Sequence, residues 1–220
     1  MNSIAENLAK IKHRLNTDVN LLVVSKTRSV EEIQIAYDAG QREFGENKVQ
    51  ELLDKAQELS DLKINWHFIG HLQSNKINQL LKVSNLVSIH SIDSIHLLNK
   101  LIAKSTDKSI GVFLQFNTSG EQEKSGFTDR DQLEEAIKLL KNAQGFYLQG
   151  LMTIGKIRTE TFEKDARSSF SQLQYLKEEL DKSHDLNLEL SMGMSQDFEI
   201  AQEYGSNWVR IGTDIFGTRD

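Results

Sequence analysis

Short apolar runs rich in β-branched and aromatic residues recur along the chain, and each is followed by a stretch with apolar positions at helical spacing. The runs fall at Leu21–Ser25, Glu43–Gly45, Trp66–Ile69, Leu86–His90, Gly111–Phe116, Leu148–Thr153, Leu188–Ser191 and Trp208–Ile211, which are read as eight strands. Alternation of this kind is the mark of a parallel sheet. A leading amphipathic helix is predicted from Ile4 to Leu15. Helix ends are marked locally: Ser29 with Glu32 makes a capping box, Gly40 after Ala39 makes a stop, and Thr128 with Asp131 makes a looser cap. Eight β units with intervening helices predict an α/β chain folded as a (β/α)8 TIM barrel. The leading helix would cover the side that a helix after strand eight otherwise covers. No linker, repeat or low-complexity segment interrupts the pattern, so residues 1–220 are read as one domain. The competing architecture, an open doubly wound sheet, usually carries a G-x-G-x-x-G turn after its first strand, and none is present.

Composition narrows the function classes. At 220 residues and 38% hydrophobic content the chain is long enough for one large core. Its 26 basic and 32 acidic residues give a net charge of −6, with neither sign gathered into a block, which argues against a general nucleic-acid binder. The absence of cysteine excludes a disulfide framework, a thiolate metal site and a cysteine nucleophile, and it fits a reducing cytoplasm. The first residues, MNSIAENLAKIKHRLNTDVN, mix charge with apolar positions and do not resemble a signal sequence. No apolar run approaches the ~20 residues needed to cross a bilayer. The expectation is a soluble cytoplasmic protein with neither nucleic-acid nor membrane partners.

In a barrel of this kind the loops after the strands' C-terminal ends build the active face. Lys26 follows Leu-Leu-Val-Val-Ser, an apolar strand that would deliver an amine onto the barrel mouth beside low-dielectric walls. Desolvation favours the neutral amine, the form that condenses with an aldehyde. By position alone, a solvated lysine ending a strand remains open. A second cluster comprises Ser191-Met192-Gly193-Met194-Ser195 after strand seven and Arg210-Ile211-Gly212-Thr213 in and after strand eight. Small residues there let backbone N–H groups approach an anion, and a helix beginning near Gln196 would point its positive end the same way. Barrels frequently bind phosphate with these two loops, although each loop could equally cap a helix. Closure makes strands one and eight neighbours, so a lysine on one faces a phosphate cup on the other, as a phosphorylated aldehyde requires. Arg210 is placed to reach a ring nitrogen of such a ligand and, as a cation, would disfavour its protonation. The alternative for Arg210 is a salt-bridged barrel residue.

Other candidate chemistry is thinner. His67 and His71 straddle a strand and a turn, which does not bring an i, i+4 pair to one face, and no third ligand stands near, so no metal site is expected. His67 and Met194 are further candidates for the pocket wall, while His90 and His96 read as structural. Ser195 lacks the second glycine of a G-x-S-x-G nucleophile motif.

These blocks resemble the pyridoxal phosphate homeostasis proteins, whose fold is similar to the N-terminal barrel of alanine racemase. The resemblance covers nearly the whole chain. It rests on Val24-Ser25-Lys26-Thr27, Phe44-Gly45-Glu46-Asn47, Trp66-His67-Phe68-Ile69-Gly70 with Leu72-Gln73 and Asn75-Lys76, and Gln115 with Asn117. It continues through Glu121, Lys124 and Gly126, Gly150-Leu151-Met152, the Ser191 to Ser195 loop, Arg210-Ile211-Gly212-Thr213 and Phe216-Gly217. The resemblance implies pyridoxal 5′-phosphate (PLP) as cofactor, Lys26 as its Schiff-base lysine, Ser195, Gly212 and Thr213 as phosphate contacts, Arg210 near the pyridine nitrogen, and Asn47 in the pocket. Three places in the chain depart from the family pattern. Lys48 stands where a tyrosine is usual, and Ser29 and Gly155-Lys156 stand where prolines are often found.

Racemisation needs a second acid–base group on the ring face opposite the lysine. In alanine racemase that group comes from a second domain, for which the chain, ending at Asp220, leaves no room. Tyr37, Tyr147, Tyr175 and Tyr204 fall in predicted helices or at the start of strand six. The resemblance therefore implies a non-catalytic, monomeric PLP carrier acting in vitamin B6 homeostasis, with no catalytic residues and with PLP-dependent apoenzymes as candidate recipients. A low-activity amino-acid racemase, with His67 or a water as base, is the alternative. A third reading is a barrel holding another phosphorylated metabolite, with Lys26 as a mere counter-charge.

Overall fold

A computed structural model describes residues 3–104, 106–121, 125–155 and 160–218; Lys124 and Lys156 lie outside the described residues. The leading helix α1 (Ile4–His13) is followed by β1 (Asn20–Val24), α2 (Val30–Asp38), β2 (Glu43–Glu46), α3 (Val49–Glu58) and β3 (Asn65–Phe68). A 3-10 turn at Ser74–Lys76 leads into α4 (Ile77–Leu80), β4 (Leu86–Ile92), α5 (Ile95–Ile102), β5 (Ile110–Gln115) and α6 (Arg130–Lys141). The chain continues with β6 (Phe146–Met152), α7 (Phe162–His184), β7 (Glu189–Met194), α8 (Phe198–Glu203), β8 (Trp208–Ile211) and α9 (Thr213–Phe216). The eight strands close into a parallel barrel in chain order, β1 pairing with both β2 and β8.

Two apolar regions hold it. Outward-facing strand residues such as Leu21, Val23, Phe44, Trp66 and Phe68 join the helices in one large core. Inside the barrel, Leu22, Phe113, Met152 and Trp208 form a smaller one, with Ile69 packed against it. Burial on both faces explains why the strands read as continuous apolar runs. The rest of the interior is polar, with Ser88, His67, His90, Ser191 and Arg210 all buried.

The capping box of Ser29 and Glu32 is present, and Gly40 (φ 88°) follows the C-cap Ala39. The cap of α6 is Asp129, which accepts from the Gln132 N–H, and not Thr128. Both are good cap residues, and the neighbouring position with the better reach to the third amide takes the role. The leading helix lies against α9 and α2, tied by Asn7 Nδ2 donating to the Ile215 carbonyl at 3.1 Å. Strand seven runs on through Gly193, whose φ of 93° supplies a bend that a Cβ would block at 2.6 Å from Ala201 Cβ. Among the described residues, no helix is long and apolar enough to cross a membrane.

Candidate functional site

The strands' C-terminal ends surround a cavity of about 470 Å³, within the range of small-molecule sites. Lys26, Asn47, Met194, Ser195, Arg210, Gly212 and Thr213 all line it. Closure of β8 on β1 is what joins them, because Leu22 pairs with Arg210 and Val23 with Ile211.

Lys26 stands two residues beyond β1, half-buried, and takes no hydrogen-bond or ion-pair partner among the described residues. The residues beside it are tightly held. Ser25 is fully buried and donates to Glu46 Oε1 at 2.7 Å. Thr27 has a φ of 64°, and its N–H donates to Glu51 Oε1. A β-branched residue in the left-handed region is a strained arrangement of the kind that concentrates at functional sites. Asn47 also lines the cavity, and its Oδ1 is buried without accepting a hydrogen bond. The end of β3 sits against it so closely that a Cβ on Gly70 would lie 2.0 Å from the Asn47 carbonyl oxygen.

Two strands round the barrel from β1, the turn after β7 is held by Met194 N–H donating to Asp197 Oδ1 at 2.6 Å and Asp197 N–H donating to the Met194 carbonyl at 3.0 Å. Among the described residues, the backbone N–H groups of Ser195, Gln196, Thr213 and Asp214 meet no acceptor. Gly212 lets the β8 turn approach β1, since a Cβ there would stand 2.9 Å from the Val24 carbonyl oxygen. Free N–H groups on two glycine-bearing turns make a cradle for an anion.

Arg210 is buried at the cavity floor and is held by three bonds. Nη1 donates to the Ser191 carbonyl at 2.7 Å and to Ser191 Oγ at 2.9 Å, and Nη2 donates to the Thr153 carbonyl at 2.9 Å. Burial pushes its pKa down to about 10, with the Asp197 carboxylate acting against that shift. No described carboxylate makes a direct salt bridge to it, so the salt-bridged alternative does not describe it.

Several lining residues escaped the sequence reading: Val24, Arg28, Ile69, Gly70, Ile154, Phe162, Gln196, Asp197 and Asp214. Arg28 is two residues after Lys26, and Asp197 is two after Ser195, so spacing from the recognised positions was the available signal. Burial raises the pKa of both Asp197 and Asp214.

His67 is the candidate that the structure does not bring to the wall. It lies within the barrel, with Nε2 2.7 Å from Glu43 Oε2, and Ile69, two residues further along the same side of the chain, lines the cavity in its place. His71 is exposed on the rim, with Nδ1 3.3 Å from Asp93 Oδ2. His90 is buried in the interior, His96 is exposed, and Lys48 is exposed at the N-cap of α3.

Among the described residues, Lys26 is the lysine that lines the cavity at the mouth of this closed parallel barrel, and the family described as alanine racemase, N-terminal domain, matches residues 1–220. A pyridoxal phosphate homeostasis protein of Schizosaccharomyces pombe is 40% identical over 227 residues, covering 100% of this chain and 94% of that protein. PipY of Synechococcus elongatus, solved with PLP bound, superposes with a TM-score of 0.85 at 36% identity, covering 98% of this chain and 100% of its own. The alanine racemase of E. faecalis shares the fold, with a TM-score of 0.75 at 18% identity, this chain matching 58% of its length. The chain belongs to the family of pyridoxal phosphate homeostasis proteins.

Proposed function

We propose that the chain binds PLP covalently through Lys26 and acts in PLP homeostasis as a carrier, with no turnover of its own. The observation that carries this reading is the joint placement in one cavity of the unpaired Lys26 and the unpaired N–H groups of the Ser195 and Thr213 turns. An amine after β1 and an anion cradle after the neighbouring strands β7 and β8, lining one cavity, match the two ends of a phosphorylated aldehyde. Asn47 supports the fit, because its buried Oδ1 has no hydrogen bond to give up when a ligand donor reaches it.

When bound, PLP supplies an electron sink. Of the chain's own residues, Lys26 would hold the aldehyde end, Ser195, Gly212 and Thr213 would hold the phosphate, and Arg210 would serve the pyridine nitrogen. A guanidinium there would disfavour protonation of that nitrogen and weaken the sink, which suits retention over chemistry. The homeostasis name shared by the relatives supports the same choice. The reading extends to a cytoplasmic monomer that exchanges PLP with dependent apoenzymes; the chain's lack of cysteine suits a reducing compartment.

The test is intact-mass analysis after incubation with PLP and reduction with borohydride. One pyridoxyl-phosphate group is expected on the wild type and none on Lys26→Ala. An unlabelled wild type, or a label that persists in Lys26→Ala, overturns the assignment. Deuterium exchange at Cα of alanine in heavy water at enzyme-like rates would replace the carrier by a racemase.

A further inference from the structure

Beneath the cavity a row of side chains crosses the barrel. Arg210 Nη1 lies 2.9 Å from Ser191 Oγ. Ser191 Oγ lies 2.8 Å from His90 Nδ1. His90 Nε2 lies 3.0 Å from His67 Nδ1. His67 Nε2 lies 2.7 Å from Glu43 Oε2. The row starts at the floor of the lysine-bearing cavity and ends at Glu43, which lines a surface recess with Lys12 and Arg42 at the strands' N-terminal ends. We propose that Glu43 is the relayed counter-charge of Arg210, coupled to it through Ser191, His90 and His67, and that these four are positioning residues for the guanidinium.

With both imidazoles neutral, the direction of every bond follows from the two ends. An ionised carboxylate only accepts, so His67 Nε2 donates to Glu43. A neutral imidazole has one N–H, so His67 Nδ1 must accept, and His90 Nε2 donates to it. By the same rule His90 Nδ1 accepts, and the Ser191 hydroxyl donates to it. Ser191 then offers its lone pairs to Arg210, which only donates. A cation and an anion are thus joined through three neutral dipoles that all point the same way, an arrangement in which each bond polarises the next.

The surroundings hold this one direction. Burial first, with the Arg210 charge adding to it, holds His90 well below the usual imidazole range. His90 is stacked on Phe113 with ring centroids 4.3 Å apart, and His67 lies 5.0 Å from Trp208. The other interior carboxylate, Glu189, is engaged elsewhere, accepting from Trp208 Nε1 at 2.6 Å and Gln149 Nε2 at 2.9 Å. Asp197 faces Arg210 from the cavity side without bonding to it. A cationic His67 would reverse the two middle bonds, leaving Ser191 with two donors and, among the described residues, its own proton without an acceptor. The row lies in the barrel interior beneath the cavity, whatever occupies it.

The experiment is long-range 1H–15N NMR of the ligand-free full chain with labelled histidine and arginine. Near neutral pH, His67 and His90 are both expected neutral with the proton on Nε2. Glu43→Leu, which removes the acceptor, is expected to lose that uniform tautomer and to shift the Arg210 Nε resonance at the far end. Glu43→Asp is expected to restore both signals toward the wild type. A cationic His67, an Nδ1–H tautomer at either ring, or an unmoved Arg210 resonance overturns the proposal. Should Glu43→Leu not fold, Glu43→Gln serves: it keeps an accepting oxygen and loses the charge, so the tautomers should persist while Arg210 shifts, and an unshifted Arg210 again overturns it.

Discussion

Lys55 and Glu46 form a buried ion pair between α3 and β2, Nζ to Oε1 at 2.8 Å, and the other oxygen of that carboxylate has no hydrogen bond. The same ammonium donates to the Ser25 carbonyl at 2.8 Å and to Glu51 Oε1 at 2.7 Å. Glu51 in turn accepts from the Thr27 N–H. Both neighbours of Lys26 are therefore fastened to one buried cation, and the turn that presents the amine is held from behind by charge.

Lys55→Met is expected to strand a buried carboxylate and to cost about 3–5 kcal/mol, the usual consequence of breaking a buried pair from one side. Burial already raises Glu46 even with Lys55 beside it. The double variant Glu46→Met with Lys55→Met should cost less than Lys55→Met alone, since it removes both charges from the low-dielectric interior. Urea denaturation reads both. A double variant less stable than the single one would show that the pair stabilises the barrel outright.

The strands were legible because a parallel sheet buried on both sides writes itself as apolar runs, and Lys26, Ser195 and Gly212 were legible because they sit at the ends of such runs. Closure made the rest invisible. Glu43 and His67 are 24 residues apart and His90 and Ser191 are 101 apart, and only the barrel brings each pair into contact. His67, read as a pocket residue from its strand, belongs to that interior row because the depth of a residue along a tilted strand cannot be read from alternation. Thr128 and Asp129 are neighbouring cap formers whose choice depends on backbone geometry, and propensity does not separate them.

The acidity of Asp197 has a definite sign. Burial raises its folded pKa against the opposing effects of the Met194 N–H and Arg210. A raised carboxylate contributes stability that is complete below the unfolded pKa and is lost as pH rises through the folded value. At neutral pH the wild type therefore carries a buried charge that Asp197→Asn lacks, while the asparagine oxygen still accepts from Met194. The variant should melt higher than the wild type at neutral pH, with the difference narrowing on acidification into the ordinary carboxylate range. A difference that grows on acidification would contradict this account. With one anion removed from the cavity wall, inorganic phosphate should also bind more tightly.

Gly212→Ala tests the cradle. The added methyl would meet the Val24 carbonyl oxygen at 2.9 Å and push the β8 turn away from β1. A displacement of that kind at an anion site should weaken PLP binding by roughly tenfold or more, equivalent to about 1.4 kcal/mol, with the barrel still folded by circular dichroism. Gly193→Ala should instead lower stability by about 1–3 kcal/mol, because it adds left-handed strain to overpacking against Ala201 Cβ at 2.6 Å. Unchanged PLP affinity in Gly212→Ala would remove that turn from the site.

Thr27→Gly separates the strain in the Lys26 turn from its usefulness. A β-branched residue at a φ of 64° carries a penalty of about 1–2 kcal/mol. Glycine avoids that penalty at a chain-entropy cost of about 0.5–1 kcal/mol. The backbone N–H that donates to Glu51 is kept, so the variant should be as stable as the wild type or up to about 1 kcal/mol more so. The turn is then free to sample conformations that the threonine forbids, and the amine spends less time facing the anion cradle. PLP adduct formation, followed by absorbance, should accordingly slow although stability does not fall. A variant that is clearly destabilised in urea would mean that the left-handed turn holds no strain, and one that is equally fast would mean that Lys26 needs no such presentation.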